Sequence, residues 1–391
     1  MPGSAAPFRL VTIGAASGPR RDSFVESCAG VTARMPHSLS WAEALDGRDW
    51  LEGRAGGDCF VRFDSPDADR AALAALYRRG ERAAAEAGIE TLSAAAFAAM
   101  RDGDIGSPAQ LAFGLADAAR ELVASGKARG AAFSAEPPDI GCAFDKAAAR
   151  DRLAASGIAV PAALPAEGGF DALAGAMAAA RMPRVFVKLR HGSAAAGMIA
   201  LARNGPDWVA TTTAVIGEDG RPYATRAIRR LNDRREIARI VDRLAPLGLH
   251  VEQWVPKIGL AGRIVDLRLV VIGGTRIFPV LRASRHPITN LHIGGERGGA
   301  DALAAAMGDA AWRDLLETAR RSARCFPSAL SVGIDMAVLA GGRRHAVLEV
   351  NIFGDHIRDF AMDGQSVHQA QAAHIAAIMA ARRASGGREA A

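Results

Sequence analysis

The chain has 391 residues, half of them apolar, and a formal net charge of +6. That length suffices for two or three packed units, and the apolar content excludes global disorder. No apolar run approaches the roughly 20 residues of a membrane helix, so no membrane association is expected. Aromatics make up only 5% and do not interleave with basic residues. The basic excess therefore reads as solvated surface, and no nucleic-acid partner is expected.

The opening residues Met1–Ala6 lack the basic-then-apolar pattern of a secretory signal. Cys28, Cys59, Cys142 and Cys325 are far apart and form no CxxC pair. Neither a zinc site nor a disulfide framework is expected, and the reading is cytoplasmic. Of 48 basic residues only four are lysines, at 127, 146, 188 and 257. Lysine is a compact point charge and arginine a planar fork, so a lysine kept in an arginine-rich chain points to a site that needs an ammonium. Lys146 and Lys188 fall in phosphate-binding contexts. Lys127, in a helix-end SGKARG, reads as surface.

In chain order, Phe8–Ile13 is a short β-rich run, followed by a Gly14–Gly18 turn and a helix over Arg21–Cys28, which opens an α/β unit. Cys59–Phe63 is a second strand. Helices are expected over Ala68–Gly88, Thr91–Met100 and Pro108–Ser125, the last with apolar spacing at Leu111, Leu115, Ala118, Ala119 and Leu122. Further helices cover Asp145–Gly157 and Phe170–Ala180. Arg184–Lys188 is a strand that runs into the small-residue loop His191–Gly197. Met198–Ala202 and Trp208–Ile216 are β, Glu218 opens a turn, Asp233–Leu244 is a helix and His250–Val255 a strand.

Beyond Arg263 the pattern is antiparallel. Val265–Ile272 and Thr275–Arg282 form a hairpin about Gly273-Gly274, and Val332–Leu339 and His345–Val350 form another about Gly341-Gly342. Trp312–Cys325 and Val367–Arg383 are helices. There is no internal repeat.

Four segments carry chemistry. Lys188 ends a strand beside a loop whose small residues let backbone N–H groups approach phosphate oxygens, although the P-loop order is absent. The segment His250–Pro256 can act as an interdomain hinge whose backbone reads a base edge, with Glu252 accepting from an amino group. Asp266 and Arg268 alternate onto one strand face, and Arg282 lies on the neighbouring arm. Two guanidinia so placed can hold phosphoryl oxygens; a cross-strand ion pair is the plainer alternative. Glu349 and Asn351 share a strand face and Asp335 lies on the preceding strand, a set of hard oxygen donors suited to Mg²⁺.

In this order the segments resemble the ATP-grasp superfamily over about Ala143–Gly364. The branch most similar holds the ribosomal-protein glutamate ligases and tubulin–tyrosine ligase. The matching pieces are Phe144-Asp-Lys146, Val185–Lys188 with its loop, Glu252–Val255, Asp266-Leu-Arg268, Arg282, Thr289-Asn290, Gly294-Gly295, and the set Asp335, Glu349 and Asn351. The departures are an Ala-rich lid loop, Asn351-Ile-Phe-Gly-Asp355 in place of Asn-x-x-Pro-Gly, and a basic segment Arg221–Arg243 without a counterpart. That segment reads as a solvated helix or an acidic-substrate surface, the solvated face being preferred.

The resemblance implies an α/β (α+β) chain of ATP-grasp fold. It comprises an amino-terminal α/β domain over 1–142, a lid subdomain with the adenine hinge over 143–255, an antiparallel carboxy-terminal subdomain with the metal site over 256–383, and a frayed tail over 384–391. It implies ATP contacts by Lys146, Lys188, Ser193, Glu252, Gln253, Trp254, Val255, Asp266 and Asn290, and Mg²⁺ (or Mn²⁺) on Asp335, Glu349 and Asn351. Arg268 and Arg282 become the catalytic residues. The expected activity is ATP-dependent carboxylate–amine ligation through an acyl phosphate, on small-molecule or peptide substrates, with a homodimer possible. A small-molecule kinase and a non-catalytic nucleotide-binding module are the alternatives.

Overall fold

The computed structural model describes residues 8–32, 34–47, 49–51, 58–67, 69–353 and 360–389. Gly354 and Asp355 of the departing motif lie outside them. The first unit runs β1 (Arg9–Gly14), α1 (Pro19–Ser27), β2 (His37–Ser40), α2 (Trp41–Ala44), β3 (Cys59–Phe63), α3 (Arg70–Glu86), α4 (Ala94–Ala98), α5 (Pro108–Lys127) and β4 (Ala132–Phe133). Its four strands are parallel in the order β2-β1-β3-β4. The order reverses beside β1, so a crevice opens at the carboxyl ends of β1 and β3. The helix expected over Thr91–Met100 is only the five residues of α4, capped by Ser93; Arg101 to Gly103 instead form a turn that leads onto the lid.

Two short helices, α6 (Pro137–Ala143) and α7 (Lys146–Ala155), lead into the second unit. There follow β5 (Ala163–Leu164), α8 (Gly169–Ala179), β6 (Arg184–Leu189), β7 (Ile199–Asn204), β8 (Asp207–Ile216), β9 (Pro222–Leu231), α9 (Arg234–Leu244) and β10 (Leu249–Gln253). The sheet order is β5-β10-β6-β7-β8-β9, antiparallel throughout. Helices α8 and α9 cover it through Phe170, Leu173, Ile237, Ile240 and Val241, which form this unit's own core. The basic segment expected as a helix from Arg221 is thus half strand. β9 is an edge strand, and its register with β8 skips Thr225 to Ile228. An edge strand that exposes much of its length and bulges in the middle loses the apolar alternation by which strands are recognised.

The third unit holds β11 (Gly259–Leu260), β12 (Arg263–Ile272), β13 (Arg276–Ser284), β14 (Glu296–Gly298), α10 (Asp301–Met307), α11 (Asp309–Arg324), β15 (Ser331–Val338), β16 (His345–Asn351) and α12 (Val367–Glu389). Its sheet order is β14-β13-β12-β15-β16. α12 continues past Arg383 as helix to Glu389, so most of the tail expected to be frayed is helical. The apolar faces of the first and third units form one core, in which Val11, Val61 and Phe63 join Leu267, Leu269 and Val332. α12 packs Ile375 and Met379 against Phe24 and Phe60 of the first unit. Its Val367 and Ala370 cover Val270 and Phe278 of the third.

In the first unit α3 and α5 touch backbone to backbone. A Cβ added at Gly80 would stand 1.8 Å from the Gln110 carbonyl oxygen, and one at Gly114 would stand 1.9 Å from that of Leu76. A helix-interior Gly→Ala change ordinarily stabilises by about 1 kcal/mol. Here the sign is reversed: Gly114→Ala is expected to destabilise by about 2–3 kcal/mol, measured by urea denaturation.

Candidate active site

A cavity lies where the second and third units meet. Of the residues singled out from sequence, Lys146, Lys188, Ser193, Glu252, Gln253, Val255, Asp266, Arg268, Arg282, Asn290, Asp335, Glu349 and Asn351 all line it. Trp254 does not. It packs against Phe186, with ring centroids 5.4 Å apart, and under the Arg184 guanidinium. The sequence pattern ran the strand to Val255, but β10 ends at Gln253, so alternation no longer sets where Trp254 points.

The floor is a cross-strand charge network. Asp266 pairs in register with Arg282, and Arg268 with Asp335. Arg282 Nε donates to Asp266 Oδ1 at 2.8 Å and its Nη1 to Asp335 Oδ2 at 3.0 Å. Arg268 grips the same Asp335 through Nε and through Nη2, the latter at 3.1 Å. The two guanidinia are therefore both cavity-lining and ion-paired, which joins the two alternatives read from sequence. Asp266, Arg282 and Asp335 are buried. Burial opposes the charge on Asp266, yet Arg282 and Lys257 hold its carboxyl well below the usual range. Burial likewise opposes ionisation of Asp335, and Arg268 and Arg282 overcome it.

Lys257 is a cavity residue for which no role was read. Its Nζ donates to Asp266 Oδ2 at 2.7 Å and Thr289 Oγ1 at 2.9 Å. Burial pulls its pKa down against the pull of Asp266. The signal that could have found it was the scarcity of lysine, since three of the four lysines line this one cavity. Lys127, read as surface, pairs with Glu136 at 2.7 Å with half its side chain exposed.

Lys188 is buried against Glu252, whose other oxygen faces His250 Nε2 at 3.4 Å. Burial opposes both charges. Glu252 nevertheless keeps Lys188 above its ordinary pKa, and Lys188 keeps Glu252 below its own. Glu252, read from sequence as an acceptor for a base amino group, lines the cavity and is the counter-ion of Lys188. Along the hinge, Gln253 N–H goes to the Ala162 carbonyl and Trp254 N–H to that of Arg184. Val255 is left as the hinge residue whose N–H has no bond among the described residues.

Lys146 opens α7, which Asp145 caps through Ala147 and Ala148 N–H. Its Nζ lies 3.0 Å from Glu349 Oε1 and also donates to the Gly192 carbonyl. Asp335 faces Glu349 directly across the β15–β16 pair, and Gly333 faces Asn351. The register slips between Asp335 and Met336, so that Leu348 is extra and lines the cavity beside Glu349. Such bulges re-aim side chains near sites, and no sequence pattern announced this one. The buried amide nitrogen of Asn351 has no partner among the described residues. Among the described residues no three His, Cys, Asp or Glu side chains form a metal cage.

Ser193 to Ala196 of the Ala-rich loop line one side of the cavity. Ala194 and Ala195 take left-handed φ of 51° and 58°. The Ala195 carbonyl is pinned by Thr213 Oγ1 at 2.6 Å. Each such residue costs about 1–2 kcal/mol relative to a right-handed one.

No protein-family model matches the chain, and no curated protein matches it by sequence. Solved structures do match. D-cycloserine synthetase DcsG is 16% identical and superposes with a TM-score of 0.54 over 95% of this chain and 99% of its own. N5-carboxyaminoimidazole synthase from Aspergillus clavatus, in complex with ADP, is 14% identical with a TM-score of 0.53, over 95% of this chain and 77% of its own. The ATP-grasp ligase PsnB, complexed with a minimal precursor, is 12% identical with a TM-score of 0.51, over 96% and 100%. The chain has the ATP-grasp fold.

The carboxylates of Asp266, Asp335 and Glu252 have folded pKa values below their unfolded ones. The stability they contribute is complete above their unfolded pKa of about 4 and is lost as pH falls through the folded values. Melting temperature is expected to hold between pH 7 and 5 and to drop steeply below pH 4. Asp266→Asn leaves Lys257 buried without its counter-ion and Arg282 with only Asp335, which it shares with Arg268, and is expected to cost about 3–5 kcal/mol at pH 7. Its acid limb in the same melting series should be shallower.

Proposed function

We propose that the chain is an ATP-dependent carboxylate–amine ligase that activates its acid substrate as an acyl phosphate. The observation that carries this is the convergence of Lys146, Lys188, the Arg268–Arg282 pair and the Asp335/Glu349/Asn351 set, from separate elements, on one cavity. Phe186, Met198 and Ile288 supply apolar faces for a flat base, and Val255 N–H supplies an edge donor.

Mg²⁺, or Mn²⁺ in its place, fits the donor set on three grounds. The side chains offer two carboxylates and an amide, the few-ligand arrangement Mg²⁺ uses when phosphate completes its shell. The amide nitrogen of Asn351 is buried and unpartnered among the described residues, and the amide's nitrogen and oxygen can be exchanged by a flip. Five cations against four carboxylates line the cavity, which leaves too little positive charge to balance a triphosphate unaided. Asp335, Glu349 and Asn351 would hold the ion, which when bound supplies Lewis-acid neutralisation of phosphate charge.

Lys146 and Lys188 bind phosphate oxygens. The substrate carboxylate attacks the terminal phosphorus, forming a carboxyl O–P bond while the bond to ADP breaks. Arg268 and Arg282 are already oriented by Asp335 and Asp266, and stabilise the charge on the transferring group without reorganising. The amine nitrogen then attacks the acyl carbon. The C–O bond to phosphate breaks, and the nitrogen gives up its proton as phosphate leaves. The Ala-rich loop excludes water from the mixed anhydride.

Incubation with ATP, Mg²⁺, candidate acids and hydroxylamine is expected to yield hydroxamate and ADP. A stable phosphate ester with no hydroxamate would establish a kinase and overturn the ligase reading. Arg268→Met is expected to lower kcat about 10²–10³-fold with little change in the KM for ATP. Glu349→Gln should abolish ADP formation, and unchanged turnover in that variant would remove the metal-site assignment.

A further inference from the structure

The lid is joined to the rest of the molecule by more than its chain connections. Between α3 and α5 the first unit sends out residues 89–107, a segment that contains α4. Its base is pinned to the helices on either side. The buried side chain of Gln110, on α5, accepts from Leu92 N–H at 2.7 Å and donates to the Tyr77 and Leu92 carbonyls. Ser107 Oγ donates to the Glu90 carbonyl at 2.8 Å, and Arg70 Nη2, on α3, donates to those of Phe97 and Ala98. Leu76 of α3 and Leu115 and Leu122 of α5 belong to the core shared with the third unit, so the base of the segment is fixed to the floor of the site.

The far side of the segment is built into the lid at two places. Glu90 N–H bonds the Pro246 carbonyl at 2.9 Å, in the turn after α9. Gly248 leaves room there for Ile89, since a Cβ added to it would stand 3.0 Å from Ile89 Cδ1. Farther along, Ala224 N–H bonds the Gly103 carbonyl at 2.7 Å and Ile105 N–H bonds that of Pro222 at 3.3 Å, which pairs Asp104 with Tyr223 of β9 in an antiparallel bridge. Ile105 is buried as a member of the lid's own core, with Leu189, Leu201 and Val241. Arg101 Nη2 closes the bridge from outside, donating to Asp219 Oδ2 at 2.9 Å and to the Tyr223 hydroxyl. Exposed ion pairs contribute little, so the tie rests on Ile105 and on the backbone bonds.

A swing of the whole lid sheet about the hinge would draw Ile105 out of an apolar core and part three backbone N–H groups from their carbonyls. The loop 192–196 is held differently. Its carbonyls at Gly192 and Ala195 are bonded by Lys146 Nζ and Thr213 Oγ1, and neither bond involves the segment 89–107. Ala194 and Ala195 take left-handed φ, which another loop conformation would relieve.

We infer that residues 89–107 are a strap that holds the lid sheet on the first unit, and that nucleotide enters and leaves the first cavity by movement of the loop 192–196 while the sheet stays in place. The nucleotide part rests on the ligase reading; the strap does not.

The bridge supplies the test. Its bonds fall on the neighbours of Asp104 and Tyr223, so these two face each other as a non-hydrogen-bonded pair, with Cα atoms about 4.5 Å apart, a separation that a disulfide spans. The double variant Asp104→Cys with Tyr223→Cys is oxidised in the full chain, and Asp104→Cys alone is the control for the half-buried native thiols Cys142 and Cys325. An intramolecular disulfide is expected in most molecules. The rates at which a fluorescent ATP analogue binds and leaves with Mg²⁺ are expected to agree within about twofold between oxidised and reduced forms. Failure of the folded double variant to form the disulfide would overturn the strap. Oxidation that slows nucleotide exchange by more than about tenfold, reversed by reductant, would overturn the fixed sheet.

Hydrogen exchange reads the strap without nucleotide. Peptides covering 101–106 and 222–226 are expected to exchange at least about 100-fold more slowly than unbonded chain, and Ile105→Ala to speed them at least about tenfold while β1 and β3 keep the parent's rates. Exchange at the rate of unbonded chain, or rates unchanged by Ile105→Ala, would overturn the strap. Should the parent chain not bind the analogue, the ligase reading falls, and disulfide formation and hydrogen exchange still decide the strap.

Discussion

The structure of the site depends on one carboxylate shared between two guanidinia. Asp335 receives both Arg268 and Arg282, and Arg282 continues to Asp266 on the central strand. Three strands are thereby fixed in register by side chains as well as by backbone bonds. Removing charges from water costs several kcal/mol per ion, and mutual attraction offsets that only when every lone pair is used. Here Asp266 is satisfied by Arg282, Lys257 and Thr289 together. The network holds two guanidinia at a cavity surface, the pre-oriented state that the proposed chemistry requires of groups facing developing charge.

Alternation on β12 explains how so polar a site coexists with a continuous core. Val265, Leu267, Leu269 and Val271 face the core shared by the first and third units. The opposite face carries Asp266 and Arg268 at the cavity, then Val270 and Ile272 beneath α12. A single face thus changes from charged to apolar where the covering element changes from cavity to helix. The lid keeps a separate core, so its sheet is a body distinct from the floor, tied to it by the hinge and by Lys146.

The sequence was most legible where period and chemistry coincide. Asp266/Arg268 and Glu349/Asn351 sit two residues apart on strands, and a period of two is enough to place them on one face. The small-residue loop and both phosphate-context lysines were legible because they break the composition around them. What was lost was lost for local reasons. β9 bulges and lies at an edge, so its ten residues show no alternation. Trp254 falls one residue beyond the end of β10, where strand geometry stops deciding direction. The role of Glu252 turned on which cation is across the ladder, and β10 pairs His250 with Lys188 and Glu252 with Phe186, a register that composition cannot supply. Lys257 was the reverse case. The lysine count held the signal, but no motif surrounded it.

A second cavity, walled in part by Leu111, Leu115, Phe144 and Phe353, adjoins the first, and the two meet at Lys146 at the start of α7, Ser193 in the Ala-rich loop, Arg268 on β12, Asn290 after β13, and Glu349 and Asn351 on β16. On the proposed reading the bond to be made forms at this junction, at the edge of the phosphate-binding space. A two-step transfer needs the activated carbonyl to face its nucleophile without meeting water. On that reading a junction of this kind meets the requirement, because residues proposed to hold the phosphoryl group also form the near wall of the second cavity. Lys146 adds a mechanical link: one ammonium joins β16, through Glu349, to the loop, through the Gly192 carbonyl. A polyanion entering the first cavity competes with Glu349 for that ammonium. On the proposed reading the loop beside both cavities is therefore linked to the phosphate-binding space by a charge already in place.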